Sequence, residues 1–357
     1  MSMQIKTIRE VIEEREQQFL APYATLSSKT RGRVSPILEC PIRTAFQRDR
    51  DRILYSKAFR RLKHKTQVFL SPMGDHYRTR LTHTLEVAEI ARTLCRALRL
   101  NEDLAEAIAL GHDLGHTPFG HAGETILNEI VPGGFSHTQQ SLRIVEVLEN
   151  GGKGLNLTYE VRNGIAKHSK GFGDIIPKND DAWAATIEGK IVRLSDIIAY
   201  LSHDLDDAIR SKVISERDIP VECREALGHT HSERTTSMIR NVIEGTQIKE
   251  DTIHLGITEQ GHKVMLELRA FLYDKVYRSP QVHNEFEKAR KILYELYEYF
   301  IRNQDAFFRE RKRLFEEEIA GEANTPYERQ VCDFIAGMSD SYAKDLFVSI
   351  FVPSPHV

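Results

Sequence analysis

Apolar side chains recur at helical spacing over most of the chain. The helix predicted over residues 80–100 carries one such face: Leu81, Leu85, Ala88, Ala91, Cys95 and Leu98. The same periodicity predicts further helices over 101–116, 136–150, 188–210, 259–277, 282–303 and 305–322. Only residues 251–258 alternate in the manner of a short strand. We therefore expect an all-α protein with at most a short β-hairpin or strand.

We expect the chain to form three parts that pack as one compact unit, and helix-boundary residues are visible within the central part. Asn101 is suited to cap the start of a helix, and Pro118 disfavours helical continuation before it. The sequence contains no internal repeat, low-complexity tract or clear linker. The pattern indicates an N-terminal helix and loop over 1–42, a helical core over 43–210 and a helical C-terminal extension over 211–357.

The composition favours a soluble cytoplasmic protein. The 357 residues carry a formal net charge of −3, so the chain has no global basic field to attract nucleic acid or an anionic membrane. No apolar run approaches the length that spans a bilayer, and the charged N-terminus lacks the apolar core of a signal peptide. The four cysteines form no C-x-x-C pair, which favours a reducing compartment over a thiolate metal site: Cys40, Cys95, Cys223 and Cys332.

The stretch GHDLGHTPFGHAGE, residues 111–124, is rich in histidine and acidic residues and is poorly suited to a hydrophobic core. It holds three histidines, one aspartate and one glutamate among four glycines and a proline. His112 and Asp113 are adjacent, and His116 follows His112 by one helical turn on the same face. A single helix histidine is more often solvated or a cap than a ligand, so the clustering is what indicates a site.

Two further residues extend this cluster into a candidate metal site. His83 lies inside a predicted helix in line with apolar positions, and Asp196 interrupts the apolar stretch RLSDIIAYL. A buried carboxylate is costly unless it is paired or bound to a metal. Two imidazoles and two carboxylates, from His83, His112, Asp113 and Asp196, suit a divalent Mn, Mg, Fe, Co or Ni ion better than a closed structural zinc.

The pattern of these four residues resembles the HD superfamily of metal-dependent phosphohydrolases. Longer segments are similar to the deoxyguanosinetriphosphate triphosphohydrolase-like family: RTAFQRDRDRILYSKAFRRLKHKTQVF (43–69), RTRLTHTLEVAEIAR (78–92), GHDLGHTPFGHAGE and CDFIAGMSDSYAKDLF (332–347). The resemblance is essentially full length. It implies an HD-domain core over 43–210 and a reaction in which a dNTP and water give a deoxynucleoside and triphosphate, with dGTP as an expected substrate.

The resemblance also implies catalytic roles for four residues. His116 would lie beside the α-phosphate, and Glu124 would hold the His116 imidazole in the required tautomer. His121 is the candidate general acid, and His137 resembles the third active-site histidine of the family. The alternatives are loop capping for the histidines at 116 and 121, a solvated helix charge for Glu124 and outer support for His137.

A substrate pocket is implied in the same way. Tyr200 would pack on the deoxyribose, Asp204 and Gln67 would bind the 3′-hydroxyl, and Arg80 would bind the α-phosphate. Tyr273, Lys275 and Tyr277 could close the pocket, as an aromatic residue in this region does in relatives. The alternatives are a core tyrosine at 200, a surface charge at 204 and a surface ion pair for Arg80.

A few further residues are weaker candidates for binding phosphate or nucleic acid, and the resemblance also suggests partners. Lys167, His168 and Lys170 could meet phosphates, and the basic stretch SSKTRGR (27–33) could touch nucleic acid or an effector nucleotide, although a solvated loop is the simpler interpretation. The resemblance implies a homo-oligomer, a tetramer or hexamer, with a possible dNTP effector and no membrane contact. A different HD phosphohydrolase, such as a nucleotidase or phosphodiesterase, and a nucleotide-binding regulator remain as alternative functions.

Overall fold

The protein is a bundle of helices with one small hairpin. The computed structural model describes residues 6–67, 78–169, 173–177, 179–315 and 325–353. Its helices are α1 (Ile8–Phe19), α2 (Ala45–Leu54), α3 (Lys57–Arg61), α4 (Arg80–Ala97), α5 (Glu102–Gly111), α6 (Gly120–Ile130), α7 (His137–Arg143), α8 (Glu149–Gly152), α9 (Tyr159–Lys167), α10 (Ile187–Arg210), α11 (Val221–Leu227), α12 (His231–Gly245), α13 (Glu259–Leu272), α14 (Pro280–Arg302), α15 (Gln304–Phe315), α16 (Tyr327–Ala336) and α17 (Asp340–Phe351). The all-α prediction is confirmed.

Short segments of other geometry join these helices. π-Helical turns follow α7 and α13, over Ile144–Leu148 and Tyr273–Tyr277. The strands β1 (Gln247–Lys249) and β2 (Thr252–His254) pair antiparallel, with Ile248 opposite Ile253. Single 3₁₀ turns lie at Ser27–Lys29, Leu62–His64, Asp180–Ala182 and Glu216–Asp218.

Two predicted elements differ from the observed ones. The strand predicted over 251–258 is limited to β2, and its partner β1 shows no alternation because all three of its residues are exposed. The helix predicted over 101–116 ends at Gly111. The chain turns there so that Gly115 can approach the backbone of α7, where a Cβ atom would lie 2.2 Å from the nitrogen of Ser141.

The larger hydrophobic core surrounds α10. This helix packs against α4, α5, α9, α12 and α13, and its inward residues are fully buried. Leu94 of α4, Ile108 of α5 and Ile198 of α10 are among the core residues that have no exposed surface. The central helices of the core therefore run side by side, and the candidate site lies along their contact.

A second hydrophobic cluster joins α6 to the C-terminal helices. Phe300 of α14, Phe307 of α15 and Phe334 of α16 pack edge to face in it, and Ile126 of α6 is buried beside them. No helix within the described residues is long and apolar enough to cross a membrane.

The basic stretch at 27–33 packs on the body of the protein. Arg33 forms a buried ion pair with Asp49, and the Arg31 guanidinium lies 3.8 Å from the centre of the Tyr159 ring. The stretch is therefore not the freely solvated loop that its composition favours.

The C-terminal helices hold the loop that contains the HD pair. Lys65 is buried and donates to the carbonyl oxygens of His116 and Ala336. Burial, together with the nearby charge of Arg61, lowers the pKa of Lys65 to about 7. Asp340 at the start of α17 accepts hydrogen bonds from the backbone nitrogens of Phe119 and Thr66, each at 2.9 Å.

Asp340→Ala is expected to lower the free energy of unfolding by about 1–3 kcal/mol, because it leaves two backbone N–H groups without their acceptor. Chemical denaturation of the variant and the wild type measures the difference. Asp345→Ala, on the exposed face of the same helix, is the matched control and should be nearly neutral. An equal decrease in the free energy of unfolding in the two variants would show that the hydrogen bonds to Phe119 and Thr66 do not stabilise the protein.

Candidate active site

His112 lies at the C-terminal end of α5 with its ring completely buried. Its Nδ1 atom is 2.6 Å from the carbonyl oxygen of Ala109. Because a carbonyl oxygen only accepts, Nδ1 carries the proton, and Nε2 of the neutral ring carries a lone pair. Nε2 is buried without a hydrogen-bond partner. The ring is thus held in the tautomer that can bind a metal ion.

Three helices bring the four predicted metal ligands together. Nε2 of His83, on α4, lies 3.2 Å from Oδ1 of Asp196, on α10, and 3.6 Å from Oδ2 of Asp113. Nε2 of His112 lies 3.3 Å from Oδ1 of Asp113. Adjacent ligands about 2.1 Å from one octahedral ion lie about 3.0 Å apart. The ligand atoms of His83, His112 and Asp113 all lie within 4.8 Å of one another, and Asp196 contacts this group through His83. The donor set and the spacing of these three residues fit a divalent cation.

The electrostatics of the cluster also favour a cation. Burial acts to raise the pKa of both carboxyl groups, but other contacts outweigh it. Contacts with the neighbouring imidazoles and with Arg80 hold the pKa of Asp113 well below its ordinary value, and contact with His83 lowers the pKa of Asp196. Burial disfavours the charged form of His83, yet the two carboxylates raise its pKa. The site therefore has ionised carboxylates that attract positive charge.

His203 contacts His83 on the side of the ring that faces away from the other predicted ligands. The sequence pattern did not identify His203. Its Nε2 atom lies 2.8 Å from Nδ1 of His83, and its Nδ1 atom lies 2.8 Å from Oδ1 of Asp204. When Nδ1 of His83 donates to His203, the lone pair on Nε2 of His83 faces the metal ligands. His203 is one turn from Tyr200 on a helix that is buried on nearly all sides, so hydrophobic periodicity could not single it out.

The expected pairing of Glu124 with His116 is wrong, because Glu124 binds His137 instead. Oε1 of Glu124 accepts from the backbone nitrogen of His137 at 2.9 Å and from its Nδ1 at 2.8 Å. The docking of α7 onto Gly115 brings His137 to the carboxylate, while the His116 ring stacks on the His137 ring with centroids 4.0 Å apart. Nε2 of His116 lies 3.2 Å from Oδ1 of Asp113.

His168, a weak candidate in the sequence, is buried at the centre of the site. Its Nδ1 donates to the carbonyl oxygen of Ile165 at 2.7 Å, and its Nε2 lies 3.2 Å from Nε2 of His137. Burial and the nearby histidines lower the pKa of His168 to about 3, so its ring is neutral. His168 ends α9 as His112 ends α5, each with Nδ1 donating to the carbonyl three residues earlier. The shared position of His112 and His168 at the end of a helix was the feature that could have identified His168 as a residue of the site.

His121 lies at the edge of the site on the first turn of α6. Its side chain is 67% exposed, and Nδ1 is 3.9 Å from Oε2 of Glu124. Burial opposes the charge on Glu124, but contacts with His121 and His137 hold the pKa of this carboxyl far below its usual range. His121 is therefore a solvent-accessible imidazole beside a fixed negative charge.

Arg80 offers buried polar atoms next to the predicted metal ligand Asp113, and Gln67 has a further buried polar atom. Nη1 of Arg80 donates to Oδ2 of Asp113 at 2.7 Å, whereas its Nε and Nη2 atoms are buried without partners. Oε1 of Gln67 is likewise buried and unpaired. Leaving such atoms unpaired costs about 1–3 kcal/mol each in mutational studies, so this is a place for a polar ligand.

Asp204 and Tyr200 continue along α10 from Asp196. Asp204 is buried, and its Oδ2 accepts from the hydroxyl of Tyr277 at 2.6 Å. Its Oδ1, although close to His203, has no aligned hydrogen bond. Tyr200 is half-buried, and burial raises the pKa of its hydroxyl, so it remains protonated.

Tyr277 reaches this side of the site through its hydrogen bond to Asp204. Tyr273 is 41% exposed, with the Arg278 guanidinium 5.7 Å from its ring centre. The two tyrosines bound a π-helical turn, whose wider repeat changes which residue faces inward. Lys167 donates to the carbonyl of Asp181 away from the metal ligands, and Lys170 lies outside the described residues.

Comparison with known protein families identifies two matching regions. Residues 80–201 match the HD domain, and residues 255–349 match the phosphohydrolase-associated domain. The first region contains the four candidate metal ligands, and the second contains the helices that hold the loop of His112 and Asp113.

Relatives match over nearly the whole chain. A deoxyguanosinetriphosphate triphosphohydrolase-like protein of Desulfatibacillum aliphaticivorans is 59% identical over 98% of this chain and 100% of its own length. A protein of the same description from Caldanaerobacter subterraneus subsp. tengcongensis is 52% identical over 98% of this chain and 97% of its own length. Among solved structures, a hypothetical protein from Aquifex aeolicus has a TM-score of 0.46 at 20% identity, covering 86% of this chain and 68% of that chain.

His203→Phe is expected to weaken divalent-metal binding by about 10–100-fold, because His83 loses the acceptor that fixes its tautomer. His203→Gln keeps a side-chain acceptor and should restore much of the affinity. Competition with a chromophoric chelator gives the dissociation constants. Equal affinity in His203→Phe and the wild type would exclude the positioning role.

Proposed function

The chain belongs to the deoxyguanosinetriphosphate triphosphohydrolase-like family of HD-domain phosphohydrolases, and from this premise we propose that it is a metal-dependent dNTP triphosphohydrolase. The reaction converts a dNTP and water to a deoxynucleoside and triphosphate, with dGTP as a substrate. The divalent ion is Mn, Mg, Fe, Co or Ni, bound by His83, His112, Asp113 and Asp196.

The observation that carries this proposal is the state of Arg80. Nη1 of its buried guanidinium donates to Asp113, a predicted metal ligand, while Nε and Nη2 have no hydrogen-bond partner. A phosphate oxygen would satisfy both groups and would stand beside the metal ligands. An anion at this point is what a phosphohydrolase must bind.

The residues around the phosphate have separate roles. A bound divalent ion supplies Lewis acidity toward a phosphoryl oxygen and lowers the pKa of a water molecule. Arg80 binds the α-phosphate and neutralises charge that develops there. His116 lies beside the phosphate, and His137 is oriented by Glu124.

The leaving group requires a proton. Water forms the new bond to the α-phosphorus, and the bond from this phosphorus to O5′ breaks. His121, which lies beside the carboxylate of Glu124, donates a proton to O5′ as general acid. The triphosphate leaves as one unit.

The sugar lies further along α10. Gln67 Oε1 and Asp204 Oδ1 are buried acceptors without aligned donors, and the 3′-hydroxyl would supply the missing proton. Tyr200, between Asp196 and Asp204 on the helix, packs on C2′ and leaves no room for a 2′-hydroxyl. Tyr277 rather than Tyr273 supports this side of the pocket through its contact with Asp204.

The expected assembly comes from the family resemblance, and the expected location comes from the composition of the chain. A homo-oligomer, either a tetramer or a hexamer, a dNTP effector and a cytoplasmic location remain predictions. The division of the chain at residues 42 and 210 also remains a prediction.

Hydrolysis of dGTP in ¹⁸O-water should place the label in triphosphate and none in deoxyguanosine, because water attacks phosphorus and O5′ leaves. Mass spectrometry of the separated products measures the label. Asp196→Ala, purified in parallel, controls for contaminating phosphatases. Orthophosphate or pyrophosphate as the first product would instead indicate a nucleotidase or another phosphohydrolase on the same frame.

The wild type should turn over dGTP much faster than GTP, and Tyr200→Ala should narrow that difference by making room for the 2′-hydroxyl. A 2′,3′-dideoxy substrate should also be poor, since Gln67 and Asp204 would lose their shared donor. Steady-state kcat/KM values for the three nucleotides test this. Equal turnover of GTP and dGTP by the wild type would contradict the position assigned to Tyr200.

A further inference from the structure

Arg193, on α10, is a buried arginine to which the mechanism above gives no role. The residue is 4% exposed. Its Nη2 atom donates to the carbonyl oxygen of Asp174 at 3.1 Å, whereas Nε and Nη1 are buried without a hydrogen-bond partner. A guanidinium keeps its charge in proteins, and unpaired donors of a charged group are costly in the interior. These two nitrogens therefore indicate a place for an acceptor that a ligand would supply.

The position of Arg193 on α10 relates it to the candidate active site. Asp196, Tyr200 and Asp204 follow it on the same helix. At 3.6 residues per turn, Tyr200 and Asp204 lie within about 20° of Arg193 around the helix axis, and Asp196 lies within about 60°. Arg193 is about 4.5 Å nearer the start of the helix than Asp196. It therefore extends this row of residues at the end opposite to Tyr200 and Asp204.

The surroundings of Arg193 are rich in positive charge. The guanidinium of Arg193 and Nζ of Lys190 lie 5.8 and 5.7 Å from the centre of the Trp183 ring. Nη1 of Arg269, on α13, donates to the carbonyl oxygen of Gly173, the residue before the one that Arg193 binds. The acceptors in these two hydrogen bonds are backbone carbonyls, so the bonds do not neutralise either guanidinium. A ligand that reaches this place must be an anion.

We propose that Arg193 binds the phosphates beyond the α-phosphate and is the residue by which the site selects a triphosphate. The inference rests on the proposed function, because the α-phosphate beside Asp196 and the sugar beside Tyr200 fix the direction of the nucleotide along α10. With the sugar toward Asp204, the polyphosphate chain extends toward Arg193. The planar guanidinium suits phosphate oxygens, and Nε and Nη1 lie on different edges of it, so they can bind separate oxygens.

A purely structural role for Arg193 is the competing interpretation. Its Nη2 atom joins α10 to the segment 173–177, and its guanidinium lies near the Trp183 ring. These contacts leave Nε and Nη1 unused. The two interpretations differ in what the loss of Arg193 changes. A lost phosphate contact weakens only those ligands that carry the phosphates, whereas a lost packing contact disturbs the site for every ligand.

The experiment measures the binding of the two ends of the nucleotide separately. Inorganic triphosphate and deoxyguanosine are each titrated into the Mg²⁺-saturated protein by calorimetry. Arg193→Gln should raise the dissociation constant of triphosphate by about 10–100-fold, as expected for lost charge-assisted hydrogen bonds, and should leave that of deoxyguanosine unchanged. Arg193→Lys keeps the charge without the planar donors and should give an intermediate value.

Arg210→Gln is the matched control, because it removes one positive charge from an exposed position on the same helix. It should bind both ligands as the wild type does. Circular dichroism reports whether each variant folds. If Arg193→Gln does not fold, the wild type decides the question through Trp183, the only tryptophan of the chain. Its fluorescence should change with triphosphate and not with deoxyguanosine, and no change with triphosphate would overturn the proposal.

The outcomes for Arg193 and for the proposed function are separable. Equal triphosphate affinity in folded Arg193→Gln and in the wild type would overturn the role of Arg193, as would an equal weakening of both ligands. If the wild type still hydrolyses dGTP, the proposed function stands in either case. Triphosphate binding that depends on Arg193, in a protein that hydrolyses no dNTP, would support the phosphate site and overturn the proposed function.

Discussion

The buried carboxylate of Asp113 is the constraint on which the rest of the site depends. An isolated ionised carboxylate in a protein interior is very costly, so positive or hydrogen-bonding groups must surround it. Arg80 binds one of its oxygens directly, and His112 and His116 approach the other. The helices α4 and α5 pack side by side, and α10 packs against both, so that their side chains meet at this carboxylate. Burying these polar groups costs free energy, and the larger hydrophobic core around α10 contributes stability that offsets this cost.

Helix ends and tight backbone approaches give the site its precision. His112 and His168 each end a helix, and each uses Nδ1 to cap that helix while Nε2 points inward. Gly115 permits α7 to approach closely enough for Ser141 to bond the backbone of the loop, with its hydroxyl 2.8 Å from the nitrogen of Gly115. The imidazoles are therefore oriented by the same contacts that assemble the fold, and they need little rearrangement to bind a cation.

The C-terminal helices act on the site without contributing to the predicted ligand set. Lys65 connects the carbonyl of His116 to that of Ala336, and Asp340 holds Phe119, whose left-handed backbone starts α6. In this chain the region that matches the phosphohydrolase-associated domain therefore holds a loop of the region that matches the HD domain. The hydrophobic cluster around Phe300 keeps those helices in place.

The sequence by itself determined the helical class, and it predicted the residues that are proposed to bind the cation. Helical periodicity is a local property, His112 and Asp113 are adjacent, and Asp196 stands out as a charge in an apolar helix. Only the tertiary structure decided that Glu124 binds His137 instead of His116, that Tyr277 donates to Asp204, and that His168 and His203 lie beside the predicted ligands. These contacts join elements that are distant in the chain, and they depend on how each helix is rotated and how its ends are turned. Periodicity gives the buried face of a helix but not the partner that this face meets, because the partner is chosen by packing between elements.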